Sequence, residues 1–154
     1  MIEVRAANFP DEVAIVRVLF EEYAAGLGID LDFQGFEAEL AGLPGKYAPP
    51  AGRLLLANAG PEIAGCIGLR PLAGDTCEMK RLYLRPAFRG QGLARLLVAA
   101  LLAEARAAGY RRICLDTLPT MRDAVKLYES LGFRDIAPYC HNPVPGARFL
   151  GLEL

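Results

Sequence analysis

The segment Arg89-Gly90-Gln91-Gly92-Leu93-Ala94 carries the residue types and spacing best suited to chemistry in this chain. Its two glycines let the backbone bend tightly and let a ligand approach where a Cβ would stand in the way. An apolar helical pattern follows over residues 92–108. The first N–H groups of a helix lack internal partners, and the helix dipole adds positive potential at the same end. A glycine turn entering a helix is therefore a site for a phosphate or pyrophosphate. Two nucleotide-binding motifs do not fit. The P-loop needs a lysine after its glycines, and none follows here. The dinucleotide fingerprint needs a third glycine where Arg95 stands. A glycine-rich connection without a ligand is the plain alternative.

The surrounding elements must hold this turn in place. Residues 2–7 read as a strand. Pro10, Asp11 and Glu12 open a helix in which Val13, Val16, Phe20, Tyr23 and Leu27 recur at helical spacing. Residues 31–43 form a second, weaker helix, and residues 42–52 a loop rich in glycine and proline. Strands follow over residues 53–58, 62–70 and 78–84, and Pro86 closes the third. After the long helix and Gly109 come a buried strand at 112–116 and a helix from about Thr120 to Leu131. Thr120 and Asp123 have the spacing of an N-terminal cap. Residues 133–139 and 148–154 read as two last strands. A strand-helix-strand unit from Glu78 to Asp116 requires a parallel pair with a crossover helix. The expected fold is thus α/β in one domain, residues 1–154. It has a mixed, mostly antiparallel sheet of about seven strands and helices on both faces.

With the elements in order, the chain resembles the GNAT superfamily of acetyl-CoA-dependent N-acetyltransferases. Residues 78–94 fit that family's strand and [Q/R]-x-x-G-x-[G/A] turn. Residues 124–133, Ala-Val-Lys-Leu-Tyr-Glu-Ser-Leu-Gly-Phe, fit its A-x-x-L-Y-x-x-x-G-F helix. The resemblance implies acetyl-CoA as co-substrate, with no metal. It implies that the backbone of Arg89, Gly90, Gln91, Gly92, Leu93, Ala94 and Arg95 holds the pyrophosphate. It further implies that the strand around Leu82, Tyr83 and Leu84 pairs with the pantetheine arm. Tyr128 matches the family tyrosine near the coenzyme sulfur. Many members carry asparagine three residues before the motif alanine; here Met121 stands there.

Acetyl transfer needs a neutral amine, an oxyanion donor and a proton for the leaving thiolate. Tyr128 can donate a proton, and Glu78 can accept the amine proton through water. Arg81, Arg85, Arg89 and Arg95 gather around the turn, where some can contact phosphates. A backbone N–H near Leu82 can polarise the thioester carbonyl. The acceptor, a small-molecule or amino-acid-like amine, is expected between residues 27–47 and the last hairpin, 139–148. Tyr23, Asp30, Asp32, Phe33, Tyr139 and His141 are the side chains on offer. A non-catalytic coenzyme A sensor would keep the turn without using Tyr128 and Glu78.

Composition narrows the partners. The 17 basic and 18 acidic residues leave a formal charge of -1, which argues against nucleic acid. The longest apolar run, residues 93–108, is broken by Arg95, Glu104 and Arg106, so no membrane span is expected. Glu3 and Arg5 stand where a signal core would be, and a cytoplasmic protein is expected. The cysteines at 66, 77, 114 and 140 form no C-x-x-C pair and read as free thiols. The C-terminal edge strands can pair between chains as a homodimer.

Overall fold

The hydrophobic periods resolve into one twisted sheet with a helical layer on each face. A computed structural model describes residues 1–154. In chain order the elements are β1 (Ile2–Ala6), α1 (Val13–Leu27), α2 (Phe36–Ala41), β2 (Arg53–Ala59), β3 (Glu62–Ala73) and β4 (Thr76–Leu84). They continue with α3 (Leu93–Ala107), β5 (Arg112–Thr117), α4 (Arg122–Ser130), β6 (Arg134–Asp135) and β7 (Arg148–Glu153). The seven strands lie in the order β1-β2-β3-β4-β5-β7-β6. Every neighbouring pair is antiparallel except β4 and β5, which α3 connects as a crossover. The mixed sheet expected from the sequence is present.

Strand alternation sorts side chains into two cores. Leu54 and Leu56 of β2 face Val16, Leu19 and Phe20 of α1 and Phe36 and Leu40 of α2. Leu55, between them, faces the other way, into the core of Leu93, Leu97, Leu101 and Tyr128 from α3 and α4. Three cysteines lie within these layers. Burial pushes the thiols of Cys66, Cys77 and Cys114 up to about 12, so they stay protonated. All four cysteines are free.

Several boundaries differ from the sequence reading. The second helix is split, because Gly35 takes a left-handed φ of 68° between a 3-10 turn (Asp32–Gln34) and α2. The loop after α2 is not merely a connection. It buries Tyr47 edge-on against Phe20. A Cβ on Gly68 of β3 would meet the Tyr47 ring at 2.6 Å, so that glycine makes the space. The expected strand at 133–139 shrinks to Arg134–Asp135, since Pro138 has no N–H for a ladder. The expected Thr120 cap does not form. Met121 is the N-cap residue of α4 and makes no side-chain cap bond.

Helix α1 begins at Val13 rather than Pro10, and Glu12 organises its approach. The Arg5 guanidinium donates to both Glu12 oxygens at 2.7 Å, and the Asn8 N–H donates to one of them at 2.7 Å. The hydrogen bond from Arg5 is the main cause holding the Glu12 carboxyl down to about 2, from an ordinary 4.5. A depressed carboxyl stabilises the fold fully above its unfolded value and loses that contribution as pH falls through the folded one. Glu12→Gln should therefore cost about 1 kcal/mol at neutral pH. The cost should fade between pH 4.5 and pH 2, read from urea denaturation of both proteins across that window.

Candidate active site

The site begins where the sheet comes apart. Strands β4 and β5 pair only at Thr76 with Arg112, Cys77 with Ile113 and Glu78 with Cys114. Beyond those pairs they separate. On the other side of β4, the register runs from Gly68 opposite Lys80 to Cys66 opposite Tyr83. Two steps on β3 thus face three on β4, which is a β-bulge at Arg81 and Leu82. Arg81 has a φ of 61°, the one positive value outside glycine. A bulge bends its strand and sharpens the twist, which turns the end of β4 away from β5. A cavity of about 330 Å³ fills the fork. Its walls include residues 79–84 of β4, residues 115–117 of β5 with Leu118 just after it, and parts of α1 and α4.

The glycine turn lies directly beyond this cavity. A 3-10 turn (Pro86–Phe88) follows β4, and Gly92 caps α3 with a left-handed φ of 80° and no side-chain bond. The Leu96 N–H reaches Gly92 O at 3.3 Å, which leaves the N–H groups of Leu93, Ala94 and Arg95 ahead of that bond at the helix head. Arg89 folds back, donating to Leu84 O at 2.9 Å with its guanidinium 5.8 Å from the Tyr83 ring. Arg95 donates to Ser130 Oγ at 2.8 Å and so ties α3 to α4.

One wall carries a phenol. Tyr128 is 6% exposed, lines the cavity and stacks at a tilt on Phe133. Burial pushes its hydroxyl well above the usual tyrosine value, with Tyr23 adding to the effect. It therefore remains a proton donor at neutral pH.

The floor carries alternating buried charges. The Arg81 guanidinium donates to both oxygens of Glu39 at 2.9 and 3.0 Å and to Gln34 at 2.7 Å. It also lies over the rings of Tyr23 and Phe36. Arg70 donates to Glu78 at 2.9 Å, and the Tyr139 hydroxyl donates to the other Glu78 oxygen at 2.6 Å. Lys80 Nζ lies 3.7 Å from Glu78 and 3.6 Å from Asp116. Asn142 donates to Asp116 at 2.9 Å. The cluster spans α2, β3, β4, β5 and the segment before β7.

Residues 14–133 match the Acetyltransferase (GNAT) family. This chain belongs to the GNAT family. An uncharacterized N-acetyltransferase of Schizosaccharomyces pombe is 41% identical over 99% of the chain and 95% of its own length. A second, YjgM of Escherichia coli, is 34% identical over 86% of the chain and 81% of its own length. A GNAT acetyltransferase from Staphylococcus aureus superposes with a TM-score of 0.81 at 20% identity, covering 99% of both chains. An acetyltransferase of Salmonella typhimurium, solved with its cofactor acetyl-CoA, superposes at 0.70 with 21% identity over 99% and 93%. The protein is an acetyl-CoA-dependent acyltransferase.

The GNAT co-substrate fits the exposed backbone. Its arm carries amides, and the fork offers a strand edge whose partner has moved away. Its pyrophosphate matches a helix head without a side-chain cap. Leu82, Tyr83, Leu84, Arg89 and Tyr128 all line the cavity, as does Met121 in place of the family asparagine. Glu78 does not. It sits beneath the cavity, 1% exposed, among Arg70, Lys80 and Tyr139. Two arginines expected at the turn point elsewhere: Arg81 into the Glu39 pocket, Arg85 onto Glu22 of α1 at 2.9 Å. On the acceptor side, Tyr23, Leu27, Leu31, Gln34 and Asn142 line the cavity; Asp30, Asp32 and His141 stand outside it.

Lys80 and Asp116 line the cavity too, and sequence reading passed over both. Asp116 has a sequence signal, a charge after the apolar run Ile113-Cys114-Leu115, which calls for a partner across the sheet; Lys80, between Glu78 and Arg81, has none.

A phosphate contact and a structural clamp make different demands of Arg81. Removing one member of a buried pair costs about 3–5 kcal/mol, because the other charge is left uncompensated. Arg81→Met should lower unfolding free energy by about that much in urea melts. Near-wild-type stability with weakened acetyl-CoA binding would return Arg81 to the phosphates.

Proposed function

We propose that this enzyme transfers the acetyl group of acetyl-CoA directly to the amine of a small, amino-acid-like acceptor. The observation that carries the reading is the forked cavity, with a buried phenol on one wall and Asp116 beside Lys80 on the other. A cavity of about 330 Å³ suits a small acceptor beside the end of an extended arm. Acetyl-CoA supplies the acetyl group as an activated thioester.

The chain's own groups then divide the work. The backbone of Leu82, Tyr83 and Leu84 aligns the arm as an added strand would be aligned. The N–H groups from Arg89 through Arg95 hold the pyrophosphate at the α3 terminus. The bulge takes Arg81 and Leu82 out of cross-strand register, and on this reading the Leu82 N–H is the donor to the thioester oxygen. An alkylammonium has a pKa near about 10 and no free lone pair, so it must first lose a proton. Asp116, on the cavity wall, takes that proton. Glu78 stands behind it, one ion pair away through Lys80, and keeps the floor charge-balanced. As the C–N bond forms and the C–S bond breaks, the Tyr128 hydroxyl gives its proton to the departing sulfur and regains one from the nitrogen as the amide forms.

Two variants test the two halves of this reading. No atom lies within 4 Å of a Cβ built on Gly92, but its φ of 80° strains any β-branched residue. Gly92→Val should stay folded and lose the rise in melting temperature that acetyl-CoA gives the wild type. An undiminished rise would place the coenzyme elsewhere. Tyr128→Phe keeps the ring and its packing. It should slow the chemical step by roughly 100- to 10,000-fold while leaving coenzyme affinity nearly unchanged. Wild-type single-turnover rates would reduce Tyr128 to a packing residue.

A further inference from the structure

Lys80 differs from the other buried charges of the floor. Arg70, Arg81, Glu39, Glu78 and Asp116 each share a hydrogen bond with a protein partner. Lys80 is 6% exposed, and its two ion pairs, at 3.6 and 3.7 Å, are longer than hydrogen bonds. An ammonium carries three donors and accepts nothing. No fully buried polar side-chain atom in the protein lacks a partner, and Lys80 lines the cavity. Its donors therefore open onto the space where the acceptor must sit.

The charge balance says what kind of group they meet. Arg70, Arg81 and Lys80 stand against Glu39, Glu78 and Asp116, so the cluster is neutral. Adding an isolated cation or anion to a neutral buried cluster leaves a charge uncompensated, which is costly away from water. A zwitterion adds both signs and no net charge. Lys80 Nζ and Asp116 Oδ1 are 3.6 Å apart, opposite charges side by side. An α-amino acid carries its own two charges one carbon apart, in the complementary order.

We infer that the acceptor is an α-amino acid or a molecule bearing that head group, held by its carboxylate on Lys80 and its ammonium on Asp116. The inference rests on the N-acetyltransferase reading above and specifies its acceptor. It also accounts for the proton. When the ammonium gives its proton to Asp116, Lys80 loses one of its two negative neighbours. The acceptor's carboxylate takes that place. The amine nitrogen then forms the C–N bond, the C–S bond breaks and Tyr128 protonates the sulfur; the second proton shed by the nitrogen restores the Tyr128 hydroxyl, and the proton on Asp116 passes to solvent. A plain amine would leave Lys80 undercompensated at that moment, and an ω-amino acid would separate the two charges too widely. Lys80 is on this account a specificity-determining residue.

The test compares matched acceptors on the wild-type enzyme with acetyl-CoA, following thiol release. Each of a panel of free α-amino acids is set against its decarboxylated amine and its carboxamide. The free acids should exceed both partners by at least about 100-fold in kcat/KM, since a donor aimed at a missing group is left unpaired. Lys80→Met removes an ion-pair partner of Asp116 and should slow both classes, but it should lower kcat/KM for the free acids by roughly 100-fold more than for the amines, closing the gap. Its coenzyme affinity, read by calorimetry, should match wild type and so verify folding. Amines or carboxamides that match or surpass the free acids in the wild type overturn the inference, whatever the variant does. So does a Lys80→Met defect equal for both classes. Either result leaves acetyl transfer to amines standing. Failure of every amine, charged or masked, overturns the proposed function, and the inference falls with it.

Discussion

The fold of this enzyme turns on a sheet that stops being a sheet. Two adjacent parallel strands pair at three register positions and then part. Inner-edge N–H and C=O groups past that point lack each other, and each such group costs about 1–3 kcal/mol when left dry and unpaired. Neighbouring features follow from keeping the fork open. The left-handed Arg81 gives β4 its bulge. Gly65 of β3 gives β4 room beside the bulge, because a Cβ there would collide with Tyr83 O. Stability is surrendered there, and the fork leaves a strand edge facing the cavity.

The buried charges hold the fork's shape. Arg81 would be an expensive residue at a strained backbone position if it were alone. Glu39 of α2 and the rings of Tyr23 and Phe36 enclose it, so the bulge is locked from the α1 and α2 side. At the opposite wall, Asn142 anchors the C-terminal loop to Asp116. Lys80 stands between the two walls. Lys80, Arg81, Asp116 and Asn142, which make these interactions, all line the cavity as well.

What the sequence disclosed follows from the range of each signal. The glycine turn and the α4 helix are local patterns, and both were readable, as was the crossover that forces one parallel pair. The bulge left no local mark, because nothing in Lys80-Arg81-Leu82 announces a positive φ. Arg81 was misplaced for a related reason: proximity to the turn in sequence hid the change of face that the bulge imposes. Glu78, at a strand end, looked accessible, whereas Arg70 and Tyr139 close over it from distant segments. Asp116 and Lys80 acquire meaning only when two strands far apart in sequence are laid side by side. Residues 133–139 read as a strand, yet the structure keeps only Arg134–Asp135 as one, and Pro138 and the Asn142 contact make the rest a loop.

The parallel seam also divides the molecule in time. The first four strands are neighbours in the sheet in the same order as in the chain, and α3 packs on them. Apart from the three-pair seam to β5, that half draws its strand partners from residues 2–84, and its strands and α3 all precede Arg112 in the chain. Strand β5 must wait for β7, the last strand of the chain, to complete its pairing. The β4 edge therefore precedes, in the order of synthesis, the β5 and β7 strands of the opposite wall, and the cavity closes only once both have been made.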